Sequence, residues 1–148
     1  MRILGLDVGS KTIGVAVSDP MGWTAQGVST IQRKDMVADA REVERILEEY
    51  AVEEIVVGLP LMMNGSEGNQ AIFVKEFVES LKTHLKLKLN KERPIHLLDE
   101  RLSTVAAERN LLEADLSREK RKKVINKMAA VFILQGYLNT RSTSGEFL

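Results

Sequence analysis

The first third of the chain consists of short apolar segments separated by turn residues. Residues 2–8 (RILGLDV) and 12–18 (TIGVAVS) are two such segments, and only residues 9–11 (GSK) connect them. Apolar segments of this length, bounded by glycine and polar residues, predict buried strands. Because so short a connection permits only a hairpin, the two strands should pair antiparallel. Residues 24–31 predict a weaker third strand.

Helical and strand patterns alternate through the rest of the chain. Apolar residues recur at helical spacing over 36–50, whereas 54–59 (EIVVGL) is the nearly continuous apolar run typical of a strand buried on both faces. The further predicted elements are a helix with Ile72, Phe73, Phe77 and Leu81 on one side, a strand over 94–98, and helices over 104–114 and 118–139. Alternating Leu and Lys residues between 82 and 93 fit either a helix end or an edge strand, and we favour a helix end followed by a loop. The order β-β-β-α-β-α-β-α-α predicts an α/β fold in which a mixed five-stranded sheet is covered by helices.

Length and composition limit the class of protein. A chain of 148 residues fits one domain, which we assign to residues 1–139, and we expect the polar tail 140–148 to be disordered. The chain has no cysteine, which excludes disulfides, thiolate catalysis and cysteine-ligated zinc. No apolar stretch approaches the roughly 18 residues that cross a bilayer, and the N-terminus lacks the pattern of a signal peptide. We therefore expect a cytoplasmic protein without a membrane partner.

The charge of the chain is balanced overall but uneven locally. Lys+Arg and Asp+Glu both number 21, so any nucleic-acid site must come from local clustering. One cluster opens the last predicted helix and consists of Arg118, Lys120, Arg121, Lys122, Lys123 and Lys127. Cations at a helix N-terminus oppose the helix dipole, so phosphate binding is the simplest reason for them here. The commoner meaning of such a run is a solvated helix face.

Asp7 ends the first apolar strand, within the segment GLDVGSKT. An ionised carboxylate in that position is costly unless a metal ion, a helix dipole or a basic residue is its partner. The nearby Gly9 has no side chain, so a ligand could approach the backbone closely. An aspartate that orders the hairpin turn through backbone hydrogen bonds explains the position equally well.

A second pair of carboxylates, Asp99 and Glu100, follows the predicted strand 94–98. Binding sites in open α/β sheets gather beyond the carboxyl ends of the strands. Because side chains alternate along a strand, one of the two carboxylates should face such a site and the other should face away. The alternative is an acidic lead-in that favours the dipole of the following helix.

Asn126 is the unexpected polar residue of the last helix. It shares a helix face with Ala129, Ala130 and Ile133, which follow at spacings of three, four and seven residues. The two alanines would let that face lie close to the sheet. A helix asparagine that bonds the backbone is the alternative explanation.

Four segments in this order and spacing resemble the bacterial YqgF family: GLDVGSKTIGVAVSD, IVVGLPLMMNGSEG, LLDERLST and KRKKVINKMAAVFILQGYL. The resemblance covers nearly the whole chain and implies an RNase H-like fold, in agreement with the predicted element order. Members of the family are described as nucleases of the 16S rRNA precursor and as Holliday-junction resolvases. The resemblance therefore implies a nuclease whose partner is pre-rRNA, on its own or in ribosomal precursor particles, or branched DNA. It leaves open whether the protein is a monomer or a homodimer.

The resemblance also assigns site residues. Asp7 matches the family's first-strand catalytic aspartate, and Glu100 matches the glutamate of its D-E-R-L-[ST]-T motif. Asn126 stands where the family usually has an aspartate, so this chain departs from the pattern there. Such oxygen ligands suit Mg²⁺ or Mn²⁺, and two ions about 3.5–4 Å apart can drive phosphodiester hydrolysis. Because an amide offers only a dipole, we expect Asn126 to weaken metal binding and activity. The predicted nucleic-acid contacts beside the carboxylates are Lys11, Arg101 and Thr104.

Two other classes of protein compete with the nuclease. ATPases and sugar kinases of the actin-like class share the core and open with a similar D-x-G hairpin, but they need two such lobes and this chain has one D-x-G motif. A non-catalytic nucleic-acid-binding factor is the second alternative, and Asn126 is the residue that favours it.

Overall fold

The computed structural model describes residues 1–89, 93–100 and 118–145, with only the backbone considered at 88–89, 118–126 and 142–145. The five strands are β1 (Arg2–Val8), β2 (Thr12–Ser18), β3 (Ala25–Gln32), β4 (Val52–Leu59) and β5 (Ile95–Asp99). They form one sheet in the order β3-β2-β1-β4-β5. The first three strands pair antiparallel, and β4 pairs parallel with both β1 and β5. The predicted meander and mixed sheet are confirmed.

The hairpin between β1 and β2 has the short turn that its sequence predicted. Asp7 pairs with Gly14, and Val8 pairs with Ile13. The Gly9 amide closes the turn by donating to the Thr12 carbonyl at 2.8 Å. A Cβ at position 9 would stand 3.0 Å from that same carbonyl oxygen, so the turn favours glycine.

Helices cover both faces of the sheet. They are α1 (Met36–Glu49), α2 (Asn69–Leu89) and α3 (Arg118–Gly145). The Asp35 carboxylate caps α1 by accepting from the Ala38 amide at 2.8 Å. Residues 82–89 complete α2, which confirms the predicted helix end; residues 90–92 and the predicted helix 104–114 lie outside the described residues.

The sheet separates two apolar clusters. The larger cluster lies under α1 and α2 and includes Leu4, Leu6, Val57 and Phe77. The smaller one lies under α3 and includes Ile3, Val56, Ala130, Ile133 and Leu134. Alternate residues of β1 and β4 thus enter opposite clusters, as expected for strands buried on both faces.

The last helix is longer than predicted. It continues to Gly145, so residues 140–145 of the supposed disordered tail are helical, and 146–148 lie outside the described residues. The Arg141 guanidinium forms an ion pair with Glu54 of β4. Within the described ranges, no helix is both long and apolar enough to span a membrane.

Candidate active site

Asp7 lies on the face of the sheet that α3 covers. Ile3 belongs to the apolar cluster beneath α3, and a Cβ at Gly5 would stand 2.7 Å from the Cβ of Leu134. Because alternate residues of a strand share a face, Asp7 points the same way, beyond the part of β1 that α3 contacts most closely. Its side chain is half-buried.

Glu100 reaches the same face from the end of β5. Its residue is 9% exposed, and its Oε1 lies 2.6 Å from the position that a Cβ on Gly58 would occupy. Leu98 packs into the cluster beneath α3, so the alternation of β5 turns Asp99 towards the opposite face. Of the two neighbouring carboxylates, Glu100 is therefore the one on the side of Asp7.

The register of the sheet places Asp7 and Glu100 at the same end. Leu6 pairs with Val57 in the parallel ladder between β1 and β4, so Asp7 and Gly58 come next along their strands. The Glu100 carboxylate stands against Gly58. The predicted meeting of two strand-end carboxylates on one face is thus consistent with the geometry.

Helix α3 runs opposite to β4 and leads back to this end. Arg141 contacts Glu54, and Ile133 contacts the position of Gly58, so lower-numbered residues of α3 lie towards the end of β4. The Ala130 carbonyl oxygen is 3.1 Å from the position of a Cβ on Gly5. Position 126 is one helical turn, about 5.4 Å, before Ala130. The backbone of α3 thus runs from Ala130 back towards the end of β1 that carries Asp7.

The predicted nucleic-acid contacts are only partly described. Lys11 is exposed in the hairpin turn beside Asp7, and the aliphatic stem of Lys127 packs over Gly27 of β3. Arg101 and Thr104 lie outside the described residues. The backbone of α3 includes the basic residues whose side chains are not described: Arg118, Lys120, Arg121, Lys122 and Lys123. Their roles remain predictions.

An arginine that the sequence analysis did not single out fixes the hairpin next to Asp7. The Arg33 guanidinium donates to the Gly9 carbonyl at 2.9 Å and to the Asp39 carboxylate at 3.0 Å. Asp39 is 2% exposed, so it is a buried charge with a buried partner. The guanidinium also lies over the rings of Phe73 and Phe77, at 4.8 and 5.2 Å from their centroids. Nothing local in the sequence pairs Arg33 with Gly9, because the contact crosses from the end of β3 to a different turn.

The donor set fits a hard divalent cation. Asp7 and Glu100 offer carboxylate oxygens, and Mg²⁺ is typically held by one or two carboxylates with water and substrate phosphate completing its shell. Among the described side chains there is no cluster of three or more His, Asp or Glu residues that could hold a metal ion. Asp7 and Glu100 are the candidate ligands at this end of the sheet, and residue 126 is the position from which the last helix could add another.

Together, this sheet order, the helices on both faces and the strand-end carboxylates define an RNase H-like protein. Solved structures share the fold: RuvC of T. thermophilus in complex with a Holliday junction substrate aligns with a TM-score of 0.62 at 13% identity, covering 96% of each chain. The yeast mitochondrial Holliday junction resolvase Ydc2 aligns with a TM-score of 0.56 at 12% identity, covering 99% of this chain and 84% of its own.

The chain belongs to the RuvX family, described as Holliday junction resolvase, whose model matches residues 1–140. A relative from Clostridium novyi, named "Putative pre-16S rRNA nuclease", is 58% identical over 140 residues, covering 95% of this chain and 99% of its own. A relative of the same name from Moorella thermoacetica is 54% identical over 145 residues, covering 98% and 99%. The resemblance noted in the sequence is thereby confirmed, and the family is one of nucleases.

Proposed function

We propose that this protein is a metal-dependent endonuclease that trims the 5′ end of the 16S rRNA precursor. The observation that carries the proposal is the placement of Asp7 and Glu100 on one face, at one end of the sheet. The names of the two relatives, each covering nearly the whole chain, supply the substrate. The reaction belongs in the cytoplasm, on precursor RNA or on ribosomal precursor particles.

Asp7 and Glu100 would hold Mg²⁺ or Mn²⁺ through their carboxylate oxygens. The bound ions would activate water and neutralise charge on the leaving oxygen. Low exposure of Glu100 limits competition from bulk water and keeps its carboxylate in one place. Arg33 fixes the turn that follows Asp7 by donating to the Gly9 carbonyl. Asn126 would add a neutral oxygen at most, so its contribution to metal affinity is smaller than that of an aspartate.

Lys11 and the basic start of α3 would bind the phosphates that flank the scissile bond. Lys11 is exposed in the turn that follows Asp7, so its ammonium can reach a backbone bound across the carboxylates. Such contacts give affinity and position without reading the base sequence.

Cleavage of four-way DNA junctions is the second candidate function. The family description and the fold shared with RuvC favour it. Both functions use the same carboxylates, so only the substrate distinguishes them. A non-catalytic binding factor is the third candidate, since Asn126 removes a charge from the site.

The discriminating experiment offers a 16S precursor fragment and a four-way DNA junction side by side, with Mg²⁺ and with Mn²⁺. We expect metal-dependent cleavage of the RNA at discrete positions and its loss in Asp7→Asn. Cleavage of the junction alone would assign the protein to the resolvases. Binding of RNA without cleavage, in the chain as it stands and in Asn126→Asp, would assign it to the non-catalytic factors.

A further inference from the structure

A basic cavity lies far from the proposed active site. It has a volume of about 490 Å³ and lies between the second half of α2 and the start of β5. Its lining residues are Lys82, Thr83, Leu85, Lys86, Arg93, Pro94 and Ile95. Glu100 follows the opposite end of β5, so roughly 16 Å of strand separates it from this cavity. Leu85 belongs to the apolar cluster beneath α1 and α2 and Ile95 packs against it, so the cavity also opens on the other face of the sheet.

Arg93 gives the cavity a fixed positive charge. Its Nε donates to the Val52 carbonyl at 2.8 Å, and its Nη2 lies 3.6 Å from the Glu48 carboxylate. The Arg93 side chain is only 9% exposed, whereas Glu48 is 58% exposed. A guanidinium held in this way is already oriented before any ligand arrives, so less entropy is lost on binding.

One nitrogen of that guanidinium has no partner. Arg93 Nη1 is buried and makes no hydrogen bond. Buried donors in folded proteins are almost always paired, so the unpaired Nη1 leaves the hydrogen-bonding capacity of the guanidinium incomplete. Because Nη1 has almost no exposed surface, an oxyanion in the cavity would be attracted by the charge of the guanidinium and would accept from Nη1 only after a small rotation of the Arg93 side chain.

Two lysines extend the positive charge towards solvent. Lys82 is 52% exposed and lies 3.5 Å from Glu79, an exposed pair that contributes little. Among the described residues Lys86 has no carboxylate partner. Lys82 and Lys86 are one helical turn apart, so both ammonium groups can converge on one ligand.

We infer that this cavity binds a phosphate group. Among the described residues, three cationic side chains line the cavity and fit an anion with several oxygens, and a guanidinium suits phosphate geometry. The phosphate could belong to a nucleic acid that bends round the β5 edge, or to a small free phosphate compound. The inference is independent of whether Asp7 and Glu100 cleave RNA.

The test compares Lys82→Gln/Lys86→Gln with a matched control, Lys34→Gln/Lys75→Gln, which removes the same charge elsewhere. Inorganic phosphate is added against potassium chloride at equal ionic strength, and the melting temperature is recorded. We expect phosphate to raise the melting temperature beyond the chloride effect in the wild type and the control, and not in the first variant. The exposure of both cavity lysines lets that variant fold, which circular dichroism checks.

A second measurement identifies the source of the phosphate. Binding of duplex RNA without divalent metal is followed as salt is varied, and each lost phosphate contact lowers the slope of log K against log salt by about 0.7–0.9. A lower slope in the cavity variant alone assigns the site to nucleic acid. An unchanged slope with loss of the phosphate effect assigns it to a free phosphate compound. Equal phosphate effects and equal slopes in both variants would overturn the inference.

Discussion

Replacing Gly58 by alanine should damage the active site from within the sheet. A Cβ at this position would stand 2.6 Å from Glu100 Oε1 and 2.5 Å from Ile133 Cδ1. Neither gap accommodates a methyl group. The absence of a side chain at Gly58 therefore makes room for both the Glu100 carboxylate and the packing of α3.

The expected size of the effect follows from these distances. A carbon–oxygen contact needs about 3.3 Å and a carbon–carbon contact about 3.5 Å, so Glu100 must move by about 0.7 Å and Ile133 by about 1 Å. Overpacking of this kind costs about 1–3 kcal/mol. At about 2–4 °C per kcal/mol for a domain of this size, the melting temperature should fall by roughly 2–12 °C. A catalytic group displaced by about 1 Å can lose about 100-fold in rate.

A double variant separates the two consequences. Ile133→Val removes Cδ1, the carbon that the new methyl group meets first, and leaves the collision with Glu100 in place. Gly58→Ala/Ile133→Val should therefore recover part of the stability of Gly58→Ala without recovering metal-dependent cleavage. The assay is the Mn²⁺-dependent cleavage rate, measured well below the melting temperature of each variant, with the Mn²⁺-induced shift in melting temperature. If rate and stability recover together, or if Gly58→Ala keeps its full rate and Mn²⁺ shift, the argument for Glu100 fails.

Three further predictions concern other parts of the chain. Without metal, Asn126→Asp should melt at a lower temperature than the present chain, because neighbouring carboxylates repel each other. With Mn²⁺ it should gain more stability than the present chain, about 2.7 kcal/mol when the Mn²⁺ concentration is 100 times the Kd. Equal Mn²⁺-induced shifts in melting temperature would remove position 126 from the site. Neutralising Lys120–Lys123 should weaken RNA binding and flatten its salt dependence while leaving the bound-state cleavage rate unchanged, and an unchanged salt slope would contradict a phosphate-binding role. Donation from the Thr24 amide lowers the pKa of Asp19 below its ordinary 3.8, so the Asp19 carboxylate stabilises the fold fully above pH 3.8 and loses this effect as pH falls through the folded pKa. Asp19→Ala should therefore melt at a lower temperature than the wild type at pH 7, and the difference in melting temperature should disappear on acidification. A difference that does not change with pH would contradict this role of Asp19.

Much of the fold could be predicted because β1, β2 and β4 each contain a nearly continuous apolar segment. The run 54–59 has no polar alternation, which requires cover on both faces, and the short turn 9–11 permits only an antiparallel hairpin. The end of α2 was ambiguous because Leu and Lys alternate there, a pattern that fits an edge strand as well as a helix end. In the helix, Leu85 is 3% exposed and Leu87 is 76% exposed, so the two leucines lie on different faces and only the packing of α2 distinguishes them.

The end of α3 was predicted too early for a different reason. Residues 140–145 are polar and have weak helix propensity, so local pattern predicts disorder. The ion pair between Arg141 and Glu54 joins residues far apart in the chain, and no local pattern contains it.

In the candidate site, too, some residues could be predicted from the sequence and others could not. Asp7 and Glu100 could be singled out as carboxylates at the ends of apolar strands. The order of the strands in the sheet, in which β4 lies between β1 and β5, was not predicted and is known only from the structure. The supporting residues could not be found in this way. Gly58 was only part of an apolar run, and the contact of Arg33 with the Gly9 carbonyl depends on how β3 ends beside a distant turn.

The central claim is that Asp7 and Glu100 share a divalent ion, and calorimetric titration with Mn²⁺ tests it most directly. The proteins compared are the chain as it stands, Asp7→Asn, Glu100→Gln and Asp99→Asn. Asp99 is the matched control, since it removes a carboxylate from the same strand end but on the opposite face of the sheet. We predict that Asp7→Asn and Glu100→Gln each abolish the Mn²⁺ binding that the parent chain shows, and that Asp99→Asn retains it. Mn²⁺ binding that survives in either of the first two variants would contradict the shared site.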